Sequence, residues 1–192
     1  MWSLLILVAV AALPFPSVPR DRAVCSVSEL RANPGYRYRP ERIREFVDSA
    51  TVIVRAVAIG IDSVGGRPAT PPDIRLYEFL LRFRVIETMR GAVLDDRLVS
   101  PGILVDRDDF NPDPVPYTIV RLSGQRGDCA AKDYRAGAEY LFILRPSRVD
   151  GSLTPYWRPL APFNEQVRGA DDPWVEWVRA QVRSQSGSGR GA

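Results

Sequence analysis

The sequence contains no histidine, two cysteines and a single lysine among 192 residues. Histidine is the usual general base near neutral pH, and it completes most Ser/His and Cys/His nucleophile pairs and many zinc sites. Its absence excludes those sites. Catalysis would have to use carboxylates, tyrosines or Lys132. We therefore expect a protein that is not an enzyme and that holds no cofactor or metal.

The chain also lacks a cluster of positive charge. Lys and Arg together number 26 against 23 Asp and Glu, a net charge of +3, and the arginines are spread among acids. A nucleic-acid surface normally presents a basic stripe with interleaved aromatic residues. The nearest pattern is Tyr36-Arg37-Tyr38-Arg39, for which a solvated loop before a helix is the favoured interpretation. We expect no nucleic-acid partner.

No hydrophobic run is long enough to span a bilayer comfortably. Leu4 to Leu13 is apolar and ends at Pro14, whereas a membrane-spanning helix needs about 20 such residues. The run is typical of a signal peptide, although Met1 to Ser3 carry no basic side chain. Residues 1–24 are therefore predicted to be a signal peptide or N-terminal hydrophobic segment of a secreted or periplasmic protein. An uncleaved anchor, with the protein facing outside, is the alternative.

Export would place both cysteines in an oxidising compartment, where an even number predicts a disulfide. Cys25 and Cys129 can pair in one way only. Closing a loop of about 100 residues would stabilise the fold by about 4 to 5 kcal/mol on a chain-entropy basis. Two free buried thiols are the alternative.

Hydrophobic periodicity predicts a helix near each end of the domain. Pro40 suits the first turn of a short amphipathic helix, whose apolar side contains Ile43, Phe46, Val47 and Ala50. Asp172 and Pro173 predict the start of a C-terminal helix, which carries Trp174, Trp177, Val178 and Val182 along one side. Residues 184–192 are rich in Ser and Gly and are predicted to be disordered.

Between the helices the patterns predict five or six strands. They cover residues 51–62, 77–85, 97–105, 117–122, 138–145 and 153–160. The first is β-branched and long enough to be covered on much of both faces, and the second alternates like a half-buried antiparallel strand. These patterns predict a mainly β domain over residues 25–183. We expect a closed or partly open barrel, and an open α+β sheet is the alternative.

Several features in order resemble the netrin-like module, the OB-fold barrel of tissue inhibitors of metalloproteinases and their bacterial relatives. The resemblance covers roughly Cys25 to Leu144. It rests on Cys25 after the signal, the helix that leads into residues 50–56, the strand that ends in residues 85–91, Gly127-Asp128-Cys129 and residues 134–142. In that family an N-terminal cysteine pairs with a later one, which implies a bond between Cys25 and Cys129.

The resemblance implies a non-enzymatic module that binds another protein. In the best-known members the amine and carbonyl of a mature N-terminal cysteine chelate the zinc of a metalloprotease, a role that maps onto Cys25, Ser26 and Val27. This chain lacks the Cys-x-Cys pair of those inhibitors, and Arg22 makes a poor cleavage site before Cys25. We therefore expect another protein partner, with metalloprotease inhibition as the first alternative.

A second alternative is a structural domain of an envelope assembly, anchored by its N-terminal segment. Its docking surface would be the helix that carries Trp174 and Trp177. Arg82 and Arg84 lie on the polar side of the second predicted strand and would suit a charged ligand, although solvation beside Glu78 is the favoured interpretation.

An acidic segment offers oxygen ligands of the kind that calcium prefers. It contains Asp106, Asp108, Asp109, Asn111 and Asp113. Its spacing does not match an EF-hand loop, because Asn111 occupies the sixth position and Tyr117 the twelfth. A rigid polar loop is therefore favoured over a metal site.

Asp171 and Asp172 are explained by the positive end of a helix dipole.

Overall fold

The computed structural model describes residues 36–62, 79–126, 129–148 and 151–188. Within these ranges the fold is mainly β, as the sequence predicts. Seven strands form one sheet, and two α-helices accompany it. The helices are α1 (Pro40–Ser49) and α2 (Pro173–Ser188). The strands are β1 (Val52–Ile61), β2 (Phe79–Arg90), β3 (Arg97–Val105), β4 (Asp133–Arg135), β5 (Glu139–Pro146), β6 (Leu153–Thr154) and β7 (Asn164–Val167).

The strands follow the order β4-β3-β2-β1-β5-β6, and β7 also pairs with β5. The pairs are antiparallel except for β3 with β4. The sheet does not close into a continuous ladder, so a barrel is only a loose description of it. A single parallel bridge between Phe110 and Gln166 links the segment after β3 to β7.

Several predicted elements are confirmed. β1 is covered on both faces for most of its length, with Val54 in one apolar cluster and Ile53 in the other. β3 has the predicted bounds, and β2 and β5 lie where the patterns placed them. In α1 the predicted residues Ile43, Phe46 and Val47 are buried.

Two predicted strands are wrong. Residues 117–122 form no strand, and residues 153–160 contribute only the two residues of β6. In the first segment the backbone is satisfied by loops and side chains: the carbonyl of Thr118 accepts from Tyr38 N at 2.8 Å, and that of Ile119 from Asn111 Nδ2 at 2.8 Å. The segment is buried because it packs between elements, and it needs no ladder partner.

The second helix begins as predicted and ends later. Asp172 Oδ1 accepts a hydrogen bond from the backbone N–H of Trp174 at 2.9 Å, which caps the first turn. The helix continues to Ser188, so residues 184–188 are helical rather than part of a disordered tail. The remaining tail, residues 189–192, lies outside the described residues.

Two apolar clusters occupy the two sides of the central strands. One lies between β1 and β5 and the two helices and contains Phe46, Leu141 and Trp174. The other lies on the opposite side and contains Phe83, Tyr140 and Phe142. The middle of the central strands therefore has little surface exposed to solvent, and most of the exposed large apolar residues lie near strand ends.

The predicted signal peptide, residues 1–24, lies outside the described residues. In the described part of the chain, neither helix combines the length and apolar character that crossing a membrane requires.

Candidate functional site

Of the residues that the resemblance assigned to binding, Cys25, Ser26 and Val27 lie outside the described residues. Cys129 is buried, with 3% of its surface exposed, in a small cluster that contains Val120, Ala131 and Leu160. The bond between Cys25 and Cys129 stays a prediction.

The acids of the segment 106–113 are largely engaged with arginines. Asp109 Oδ2 lies 2.7 Å from Arg121 Nη1, Asp108 Oδ1 lies 2.6 Å from Arg135 Nε, and Asp113 pairs with Arg37. Over the described residues, no group of three His, Cys, Asp or Glu side chains is placed to hold a metal ion. The acidic segment therefore neutralises arginine side chains of the same domain.

The polar side of β2 contains a shared ion pair. Asp62, whose side chain is 4% exposed, accepts from Arg82 Nη2 at 2.6 Å and from Arg97 Nη2 at 2.7 Å. The hydrogen bonds from both guanidinium groups lower the pKa of Asp62 below its ordinary value. Arg84 is exposed. Asp62 is therefore the ion-pair partner of Arg82. Glu78, which the sequence placed beside Arg82 and Arg84, lies outside the described residues.

The two tryptophans of α2 pack inward. Trp174 is fully buried and stacks on Tyr117 at 4.9 Å between ring centroids, and Trp177 is partly buried and stacks on Trp174 at 5.1 Å. Trp174 therefore belongs to the core and provides no exposed docking surface.

β7 contributes a buried polar cluster that the sequence reasoning did not predict. Asn164, Glu165 and Gln166 are consecutive and each is at most 1% exposed. Glu165 Oε2 accepts from Asn111 Nδ2 at 3.0 Å, and Oε1 accepts from the backbone N–H of Arg121 at 3.1 Å. Burial raises the pKa of Glu165 to about 7. A run of three polar residues in a sequence predicts a loop, so the pattern gave no signal for this strand.

Arg121 lies at the centre of this polar cluster and is fully buried. Its guanidinium carbon lies 5.2 Å from the ring centroid of Tyr134 and 5.3 Å from that of Tyr140. Its Nε donates to Asn164 O at 3.1 Å, and its Nη1 donates to Asp133 O at 2.7 Å as well as to Asp109. The side chain thereby ties β4 and β7 to the acidic segment, a structural role that fixes one side of the fold.

Exposed apolar residues gather where β1 ends, β2 begins and β3 ends. We call this set the strand-end patch, and its members are Ile59, Ile61, Phe79, Leu80, Ile103 and Leu104. The register brings the three strand ends together, because Ile61 is paired with Leu81, and Phe79 with Gly102. Side chains alternate along a strand, so Ile61, Phe79 and Leu104 lie on one face of the sheet and Leu80 and Ile103 on the other. The patch therefore wraps around the end of the sheet. Ile59, Ile61 and Phe79 are each more than 40% exposed. The alternating pattern of β2 predicts that Phe79 is buried. Its exposure could not be foreseen, because a sequence does not show where a strand extends beyond the elements that pack against it.

No family model matches the chain, and no curated protein matches it.

Proposed function

We propose that the protein is an exported, non-enzymatic module of the netrin-like type that binds another protein through the strand-end patch. The observation that carries the proposal is the patch itself: six large apolar side chains, from three neighbouring strands, that are 38% to 51% exposed. Exposed apolar side chains that cluster on a soluble protein mark interaction sites when they form a patch of several hundred Å², and Ile61, Phe79 and Leu104 share one face of the sheet. The paired strands beneath the patch hold its side chains in a fixed arrangement.

The surroundings of the patch favour a protein partner with an acidic rim. Asp62 follows Ile61 directly and binds both Arg82 and Arg97, while Arg84 lies opposite Arg97 in the neighbouring strand. Three guanidinium groups and one carboxylate leave this border positively charged. An apolar centre with a polar border is the usual composition of a protein interface, and acidic residues on the partner would complement it.

The strand pairings support the netrin-like interpretation. β1, β2 and β3 form an antiparallel meander, β5 pairs with β1, and β7 pairs with β5. The bridge between Phe110 and Gln166 runs parallel and brings the chain after β3 beside β7. These pairings are compatible with a partly open barrel of the OB type, the architecture that the resemblance implies.

Site-specific photo-crosslinking in the native host tests the proposal. A photoreactive amino acid is placed at Phe79 or Leu104 of the full chain, which share one face of the sheet, and at Leu94 as the control, because Leu94 is 87% exposed and does not belong to the patch. We expect both patch positions to cross-link to one discrete protein that the control position does not capture. The purified partner should then bind the purified chain, and Ile61→Glu should weaken that binding at least about tenfold.

The melting temperature of Ile61→Glu serves as the folding control, since Ile61 is 51% exposed and its substitution should leave the fold intact. Cross-links identical to those of the control position would overturn the proposal. So would cross-links to a second copy of this chain alone, or a partner whose affinity is unchanged by Ile61→Glu.

A further inference from the structure

A cleft of about 450 Å³ lies between the end of β5 and the segment 154–158, away from the strand-end patch. Three arginines, two hydroxyl side chains and an indole ring line most of it: Arg145, Arg148, Arg158, Ser147, Thr154 and Trp157. No acidic residue of the described chain lines the cleft. The described lining therefore carries three positive charges and no negative one.

The three arginines differ from most of the other arginines that the structure describes. Arg82, Arg121 and Arg135 each pair with a carboxylate. Arg145, Arg148 and Arg158 make no ion pair and no side-chain hydrogen bond with the residues that the structure describes. Like charges that line one cleft repel each other, and an anion bound among them would relieve that repulsion.

One wall of the cleft is rigid. The Trp157 ring stacks on Phe163 with 4.3 Å between centroids and 9° between planes, and its Nε1 donates to Ile143 O at 3.2 Å. The guanidinium carbon of Arg145 lies 4.8 Å from the centroid of the Trp157 ring. The indole ring thus holds the Arg145 guanidinium in place, so less conformational entropy is lost when it binds an anion.

Thr154 adds a neutral donor. Its Oγ1 accepts from the backbone N–H of Tyr156 at 3.1 Å, which leaves the hydroxyl proton available for donation. In the sheet register Thr154 lies opposite Arg145. A hydroxyl donor beside a guanidinium group suits a ligand in which several acceptor oxygens are bonded to the same atom.

We propose that this cleft binds the phosphate group of a phosphorylated ligand. Guanidinium groups bind phosphate oxygens through paired, charge-assisted hydrogen bonds. A tetrahedral phosphate presents oxygens in several directions and can accept from several arginines that line one cleft, whereas a planar carboxylate offers two oxygens in one plane. The phosphate belongs either to a soluble phosphomonoester or to a lipid headgroup.

Titration calorimetry on the purified full chain tests this, with inorganic phosphate and glycerol 3-phosphate as soluble probes. Co-sedimentation uses phosphatidylcholine vesicles with and without phosphatidic acid. The cleft variants are Arg148→Gln and Arg158→Gln, because both side chains are exposed and their loss should spare the fold. Arg44→Gln and Arg183→Gln remove the same charge from exposed sites elsewhere.

We expect each cleft variant to weaken binding of the effective probe about tenfold or more, and the control variants to change it less than about twofold. Binding of glycerol 3-phosphate identifies a soluble ligand, and binding only to vesicles that contain phosphatidic acid identifies a lipid headgroup. The proposal is overturned if none of the probes binds the wild-type chain, or if control and cleft variants weaken binding equally.

Discussion

The side chains of Arg121 and Glu165 are both fully buried, yet they meet through the backbone rather than as an ion pair. The Glu165 carboxylate accepts from the main-chain N–H of Arg121, whereas the Arg121 guanidinium reaches Asp109 at 2.7 Å. Each buried charge therefore has a different partner, and the two side chains respond differently to pH and to substitution.

The stability of the protein should fall as the pH rises from 5 to 8. Burial raises the pKa of Glu165 to about 7 from an ordinary value of 4.5, so between these values the folded state keeps a proton that the unfolded state releases. Unfolding is then favoured progressively as the pH rises through 7, and the effect levels off above it. The free energy of unfolding, measured by urea titration, should drop by roughly 2 to 3 kcal/mol.

Glu165→Gln is the matched variant for that measurement, because the amide resembles the protonated acid. Its stability should be nearly constant over the same pH range. The absence of histidine helps the experiment, since no imidazole titrates in this window, and the lowered pKa values of Asp62 and Asp108 place their effects below pH 4. Parallel pH profiles for the two proteins would contradict the assignment.

Asp109→Asn should destabilise the fold by about 3 kcal/mol, because it leaves the buried Arg121 guanidinium without its carboxylate. Asp108→Asn is the control: it makes the same change one residue earlier, where the carboxylate is 44% exposed and pairs with Arg135. We expect the control to cost less than about 1 kcal/mol. Urea titrations of the three proteins at pH 6 measure both effects, and equal losses would show that Arg121 does not depend on Asp109.

The intact mass of the protein from its native host should reveal one disulfide between Cys25 and Cys129. Alkylation without reductant should add nothing, and reduction followed by alkylation should modify both cysteines. The mature N-terminus is read from the same spectrum. Two thiols that alkylate without reductant, or a chain that starts after Cys25, would contradict the predicted bond and the argument from export that led to it.

Local patterns in the sequence were sufficient for several elements. The β-branched run of β1, the Pro40 start of α1 and the Asp172 cap of α2 each carry their signal within a few residues. For that reason the mainly β class and the principal helices and strands could be predicted. The C-terminal end of α2 could not be predicted, because its last turns contain Ser and Gly residues that are also typical of a disordered tail.

The strand-end patch and the arginine cleft depend on contacts between distant segments. Ile61, Phe79 and Leu104 share one face of the sheet end only because three strands pair in one register. Arg145 and Arg158 face one cleft because the chain turns back after β5. Neither arrangement leaves a periodic signal, since periodicity records which face of an element is buried and not which elements end together.

Composition and local periodicity were enough to show that imidazole chemistry is absent and that the fold is mainly β. The tertiary structure alone decided that Asn164, Glu165 and Gln166 form a buried strand and that Arg121 lies at zero exposure. In a sequence such residues resemble surface residues. Only their partners across the fold, Asn111, Asp109 and the aromatic rings around Arg121, offset the cost of removing them from water.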